Sequence, residues 1–157
     1  MTLETGSEAP GFALRDQHGQ LVELASLRGR KAAVLMFYPY AFSRVCTGEL
    51  WEVRDSLPRF ESAEVQLLAI SCDPMFTLRA FADADRLEFP LLSDFWPHGE
   101  VARAYDVFDE EHGCARRSTF IVDRDGVLRW SVHNQMSEAR DLGEQAEILA
   151  KLAAESG

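Results

Sequence analysis

The sequence is short of cysteine, short of positive charge and without a long apolar run, and each shortage excludes a class of protein. Three cysteines, Cys46, Cys72 and Cys114, in 157 residues are too few for a disulfide framework, and the odd number leaves at least one thiol unpaired within a monomer. Only 16 lysines and arginines stand against 26 acidic residues, a formal charge of −10. Gripping a phosphate array needs excess cations, so nucleic acid and anionic membrane are not expected partners. The longest apolar run, Ala32 to Tyr38, falls far below the roughly 20 residues of a membrane span. Met1 to Glu8 is polar and acidic and lacks the basic-apolar-small order of an export signal, so a cytoplasmic location is expected. The four histidines are scattered, and neither Cys-x-x-Cys nor His-x-x-x-His occurs; no metal or other cofactor is expected.

Composition is that of an ordinary globular protein, 46% hydrophobic and 27% charged, and no linker, repeat or low-complexity stretch divides it. One domain over residues 1–157 is the expectation. Residues 12–16 and 21–24 flank Gln17-His-Gly-Gln and read as a short edge hairpin. Residues 32–38 and 65–71 are continuous apolar runs, the mark of strands buried on both faces. Leu50, Val53, Leu57 and Phe60 recur at helical spacing, which predicts a helix from about Arg44 to Phe60 with Cys46 in its first turn. A helix over Phe76–Ala84 and a short one over Gly99–Tyr105 follow, with Phe89-Pro-Leu-Leu read as leading into a loop. Strands at 119–123 and 127–132 flank the turn signal Arg124-Asp-Gly, and a last helix is expected from Glu138 to Ala154.

This order, β-α-β-α, then a hairpin, then α, is that of an α/β thioredoxin-like fold, a central mixed sheet flanked by helices with an N-terminal β-hairpin. The right-handed crossover rule makes strands 32–38 and 65–71 parallel neighbours, with the late hairpin antiparallel on the other side. The ends that carry Cys46, Cys72, and Cys114 with Arg116 and Arg117 then share one sheet edge, the edge where ligands bind in α/β sheets.

A cysteine in the first turn of a helix faces unpaired backbone N–H groups and the positive end of the helix dipole, and both favour a thiolate. Pro39 ends the strand, Ser43 can offer a hydroxyl beside the sulfur, and Arg117 can supply a guanidinium of fixed geometry. That set suits a thiolate attacking a polar electrophile whose leaving oxygen needs stabilising, a description that a peroxide meets.

Pro39-Tyr-Ala-Phe-Ser-Arg-Val-Cys46-Thr-Gly-Glu resembles the active-site motif of the peroxiredoxins. The resemblance extends through Gly6-Ser-Glu-Ala-Pro-Gly-Phe, Phe89-Pro-Leu-Leu-Ser-Asp and Arg117-Ser-Thr-Phe-Ile-Val-Asp. Ser93-Asp-Phe-Trp-Pro-His-Gly, with Ala41-Phe before the cysteine, resembles in particular the AhpE-like one-cysteine branch. The resemblance implies a thiol-dependent peroxidase that reduces hydrogen peroxide, organic hydroperoxides or peroxynitrite. Cys46 is the implied nucleophile, oxidised to a sulfenic acid, and Pro39 the shield of the pocket. Ser43, where the family usually has Thr, keeps the hydroxyl and loses a methyl. Arg117 is the implied stabiliser of thiolate and transition state, and Glu49 the carboxylate that orients it.

The family's common resolving positions are unfilled: the chain ends early, Trp51 stands five residues after Cys46, and residues 76–84 hold no cysteine. A cycle completed by an external thiol, or a thioredoxin- or mycoredoxin-like reductant, is therefore expected. Cys72, which ends a strand, and Cys114, read as an accessible loop residue, stay as candidate resolving cysteines because they share the active edge. Arg44, Arg116 and the acidic stretch Asp106–Glu111 read as solvated. Tyr40, Phe42, Phe95 and Trp96 suggest an apolar surface suited to a homodimer. A redox sensor or holdase using the same cysteine, or a thiol-disulfide oxidoreductase, is the alternative. The second of these lacks its partner cysteine in Cys46-Thr-Gly-Glu49.

Overall fold

In the computed structural model, which describes residues 3–62, 64–135 and 140–156, the two apolar runs form the centre of a seven-stranded sheet. In chain order the strands and helices are β1 (Ala13–Arg15), β2 (Leu21–Glu23), β3 (Ala32–Phe37), α1 (Arg44–Asp55), β4 (Val65–Ser71), α2 (Met75–Asp85), β5 (Leu91–Ser93), α3 (Glu100–Ala104), β6 (Phe108–Asp109), β7 (Cys114–Ala115), β8 (Ser118–Val122), β9 (Leu128–His133) and α4 (Leu142–Ser156). The sheet order is β2-β1-β5-β4-β3-β8-β9, with β6 and β7 a separate two-stranded ribbon. As expected, β3 runs parallel to β4 and antiparallel to β8, and β1 pairs with β2 at the edge.

Alternation along the central strands divides the core into two layers. Val34, Met36, Leu67, Ala69 and Ile121 face α1, α2 and α4 through Leu50, Val53, Leu78, Phe81 and Leu149. Leu35, Phe37, Leu68, Ile70 and Phe120 face the other way, toward Val101, Tyr105 and Phe108. Both faces are covered, which is why β3 and β4 are apolar at every position rather than at alternate ones.

Three boundaries differ from expectation. Helix α1 stops at Asp55, and Leu57–Arg59 forms a separate 3-10 turn; Pro58 has no N–H to continue the ladder, although Phe60 still reaches the core at 1% exposure. Residues 91–93 form a strand between β4 and β1 rather than a loop. Pro90 is tolerated before it because only its carbonyl is used, accepting from the Ala69 N–H at 3.1 Å. The buried Gln17 amide supports the same strand by donating to the Phe89 carbonyl (3.0 Å) and accepting from the Leu91 N–H (2.8 Å). Finally α4 is recorded from Leu142, with the Asp141 carboxylate accepting from the Glu144 N–H (3.0 Å) as an N-terminal cap; the expected start at Glu138 lies outside the described residues. Among the described residues no helix is long and apolar enough to cross a membrane.

The register brings three chain ends level, since Phe37 pairs with Ile70 on one side and Ser118 on the other. The segments that follow β3 and β4 and precede β8 therefore meet at one edge, as the topology requires.

Candidate active site

Tyr38 extends the β3 path by donating its N–H to the Ile70 carbonyl (3.0 Å), and the buried Pro39 ends it. The next residues make a tight turn in which Phe42 adopts φ +67°, a conformation that side chains with a Cβ avoid unless their surroundings impose it. Ser43 caps α1 with extended backbone (φ −74°, ψ 150°), and its carbonyl accepts the first helical bond from Thr47 (2.8 Å). The amides of residues 44–46 thus precede the helical ladder and are orphan donors. Cys46 lies among them, in the first turn, at 0% exposure.

The Ser43 hydroxyl does not cap the helix. It donates to the Tyr40 carbonyl at 2.9 Å, closing the turn that precedes the cysteine. Glu49 follows Cys46 by three residues on the same helix and faces the same way. Arg117, immediately before β8, is 1% exposed. Its Nη2 donates to Cys46 Sγ at 3.3 Å, and its Nη1 pairs with the Glu49 carboxylate. Sequence reasoning placed Cys46, Glu49 and Arg117 together, and the structure has them in direct contact. Pro39 and Ser43 border the same turn, with no bond from Ser43 to the sulfur. Arg44 and Arg116 are exposed, as expected.

A second buried guanidinium, Arg140, was missed. Glu49 Oε2 accepts from both the Arg140 N–H (2.7 Å) and Nε (2.9 Å). The remaining nitrogens of Arg140 donate to the carbonyls of Phe37 (2.7 Å) and Ser118 (3.2 Å) and to the Thr119 hydroxyl (2.8 Å). Burial pulls the Arg140 guanidinium below its ordinary value, and the Glu49 carboxylate opposes that pull. Asp141-x-x-Glu144 was the available signal: it has the spacing of a helix cap and leaves Arg140 just outside the helix, free to turn inward.

The result is a buried cluster of two guanidiniums, one carboxylate and one sulfur. Formally it carries one positive charge more than negative, and a thiolate at Cys46 brings it to neutrality. Isolated charges at this depth would be strongly disfavoured; here each finds an opposite charge and a hydrogen bond.

The other two cysteines are also unbridged and buried. Cys72 follows β4 at 6% exposure and packs in the layer opposite Cys46, with Phe37, Leu92 and Ala115. Burial, reinforced by the Asp94 and Asp73 carboxylates, pushes its thiol up to about 12. Cys114 is not the accessible loop residue expected: it lies in β7, paired across from Asp109, at 0% exposure. The Tyr40 hydroxyl donates to the neighbouring His112 carbonyl at 2.9 Å, tying the turn before Cys46 to this ribbon and helping to enclose it. Burial pushes the Cys114 thiol up, the Tyr40 hydroxyl opposes, and the Asp109 carboxylate adds to the rise. The stretch Asp106–Glu111 is likewise not wholly solvated, because Val107 and Phe108 are buried in the core layer that holds Val101 and Tyr105.

Around the turn, large apolar side chains remain exposed: Tyr40 (39%), Phe42 (53%), Phe95 (45%) and Trp96 (80%). His98 links two of these regions, its ring nitrogens meeting the Phe95 carbonyl (3.2 Å) and the Gly113 carbonyl (2.8 Å).

Comparison with known proteins gives a consistent pattern. The model of the AhpC/TSA family matches residues 5–131. Alkyl hydroperoxide reductase E of Mycobacterium tuberculosis is 48% identical over 152 residues, covering 97% of this chain and 99% of its own. Among solved structures, peroxidoxin BcpB of the same organism superposes with a TM-score of 0.82 at 31% identity, covering 97% of each chain. Enterococcus faecalis AhpC superposes with a TM-score of 0.85 at 26% identity, covering 100% of this chain and 98% of its own.

Proposed function

From the premise that the chain belongs to the AhpC/TSA family and is a peroxiredoxin, a thiol-dependent peroxidase, we propose that Cys46 is the thiol oxidised by peroxide and that Arg117, Glu49, Ser43 and Pro39 serve it. The observation that carries this assignment is the Arg117 Nη2 donor 3.3 Å from Cys46 Sγ, inside a cluster held by Glu49.

The Cys46 thiolate attacks one oxygen of the peroxide. The S–O bond forms as the O–O bond breaks, and the departing alkoxide or hydroxide takes up a proton to leave as alcohol or water. Cys46 remains as a sulfenic acid. Negative charge moves from sulfur to the leaving oxygen during the step. A guanidinium already fixed by Glu49 follows that charge without reorganising, and electrostatic preorganisation of this kind typically contributes on the order of 10²–10³ in rate. The orphan amides at the start of α1 act in the same direction. Pro39, buried at the end of β3, is assigned the shielding of the sulfur. Ser43, by turning its hydroxyl away from the Tyr40 carbonyl, can meet the incoming peroxide.

A free thiol then condenses with the sulfenic acid, giving a mixed disulfide and water, and a second thiol releases Cys46. We assign these thiols to an external small molecule or a thioredoxin- or mycoredoxin-like protein. Cys72 lies in the opposite layer of the core, and burial pushes both remaining thiols up, which disfavours the nucleophilic thiolate at each. The exposed aromatics flanking the turn suit a homodimer of cytoplasmic protein, which sedimentation would read as twice the 17.7 kDa chain mass.

Stopped-flow mixing of reduced protein with hydrogen peroxide or an alkyl hydroperoxide tests the assignment. Rapid oxidation in the native chain that vanishes in Cys46→Ser is expected; equal rates in the two proteins would reject it.

A further inference from the structure

We infer that Asp73 is a positioning residue for peroxide reduction: its carboxylate clamps the strained turn between Pro39 and Ser43 in the shape that presents it to Cys46. The inference rests on Cys46 being the reacting thiol.

Asp73 lies two residues beyond β4, on the edge where the catalytic turn leaves β3. One oxygen, Oδ2, accepts from the Ala41 N–H at 2.8 Å and from the Ser71 hydroxyl at 2.7 Å. The carboxylate is itself held in place, because the Ser93 hydroxyl donates to the Asp73 carbonyl at 2.7 Å and the Ser71 side chain anchors it to the end of β4. Hydrogen bonds to an ionised acceptor are roughly twice as strong as neutral ones.

Ala41 is the residue immediately before Phe42, whose φ of +67° is costly for a residue with a Cβ. Such a conformation persists only where neighbours over-determine it, and the turn has neighbours of that kind. Asp73 fixes Ala41. The Tyr40 hydroxyl is tied to the His112 carbonyl, and the Tyr40 carbonyl accepts from Ser43 through both its N–H (3.4 Å) and hydroxyl (2.9 Å). The Phe42 ring leans on Phe81 with centroids 4.9 Å apart. Among these contacts the Asp73 clamp brings a full charge and joins the turn directly to the central sheet.

The role is one of geometry. Asp73 is placed to act through the turn, and what it sets is where the Ser43 hydroxyl starts from. Attack on a peroxide depends on that arrangement. Alkylation of the same thiol by iodoacetamide requires the thiolate and access but no donor from the turn. The two reactions therefore separate positioning from general damage.

The test measures both second-order rates on full-length reduced protein for the native chain, Asp73→Ala, Asp73→Asn and Ser71→Ala. Asp73→Ala is expected to lower the peroxide rate about tenfold, the size of effect that a small displacement of reacting groups produces, while alkylation of Cys46 stays within about twofold. Asp73→Asn retains an oxygen able to accept both bonds and is expected to recover to within about threefold of the native chain, and Ser71→Ala is expected to show a smaller loss than Asp73→Ala. The inference is overturned by a native peroxide rate in Asp73→Ala, by equal loss of both reactions, or by Asp73→Asn failing as badly as Asp73→Ala. Should Asp73→Ala not fold, the asparagine and Ser71→Ala variants decide it: native-like peroxide reduction in Ser71→Ala or a tenfold loss in Asp73→Asn overturns it. Cys46→Ser, run alongside, keeps the outcomes apart, because oxidation that persists there counts against the choice of thiol rather than against the clamp.

Discussion

Cys46 and the pair Cys72 and Cys114 are equally buried and differ in the charge that surrounds them. Cys46 and Cys114 are both 0% exposed and Cys72 is 6% exposed, so accessibility in the resting fold does not distinguish them. Cys46 has a guanidinium on its sulfur, the start of a helix beneath it and a surplus of one positive charge in its cluster. Cys72 and Cys114 have apolar walls and the carboxylates of Asp94, Asp73 and Asp109. Burial strengthens whichever electrostatic influence is present, so a positive neighbour acts on Cys46 and negative neighbours act on the other two. On the proposed assignment of Cys46, reactivity follows the sign of the neighbouring charge, and depth only amplifies it.

Removing the guanidinium should break the contrast most severely. Arg117→Ala is expected to slow peroxide oxidation of Cys46 by about 10²–10³ in stopped-flow. Arg117→Lys should restore only part of that, because a single ammonium does not span Sγ and the Glu49 carboxylate as the two guanidinium nitrogens do. Next comes the carboxylate that two arginines share. Glu49→Ala leaves both guanidiniums buried without their counter-charge, and urea unfolding should report a loss of about 3–5 kcal/mol, accompanied by slower oxidation as Arg117 loses its anchor.

Alkaline titration should sharpen the comparison from the other side. The native fold holds the Cys72 thiol at about 12, against 9.0 for an unperturbed thiol. The unfolded chain therefore loses this proton first and binds fewer protons than the native chain across that window. Unfolding free energy should accordingly be fully present below about pH 9 and decline as pH rises toward about 12. Replacing the thiol by Cys72→Ala should make that decline shallower without abolishing it, since Cys114 and Tyr40 are raised in the same direction, and denaturation at a series of pH values would reveal the change. The smallest effect is expected for Cys72→Ala and Cys114→Ser on peroxide oxidation itself, within about twofold of the native rate, since neither sulfur belongs to the charged cluster.

The fold was largely legible because its strongest signals were long and local. The apolar runs at 32–38 and 65–71 identify the central strands, and the crossover rule orders them. The active edge follows from that order and brings Cys46 and Arg117 together, because strand register is a rigid constraint, whereas Glu49 entered through the resemblance of its motif. What escaped depends on tertiary partners. Residues 91–93 become a strand because β4 and the Gln17 amide receive them, despite Pro90. Arg140 joins the cluster through contacts 91 residues away at Glu49, and the cap spacing at Asp141 marks where the helix starts but not which carboxylate Arg140 meets. Cys114 looked like a loop cysteine because the two-residue strands β6 and β7 are too short for periodicity to detect. The Asp73 clamp has the same origin: an aspartate after a strand is unremarkable until its partner, Ala41, is seen 32 residues earlier in the chain.

The contrast between the thiols is tested most directly by mass spectrometry of the reduced protein after one equivalent of peroxide. A sulfenic acid confined to Cys46 is expected, trapped by a sulfenate-selective reagent, with Cys72 and Cys114 recovered as free thiols. Oxidation at Cys72 or Cys114, or a disulfide joining either to Cys46, would contradict it.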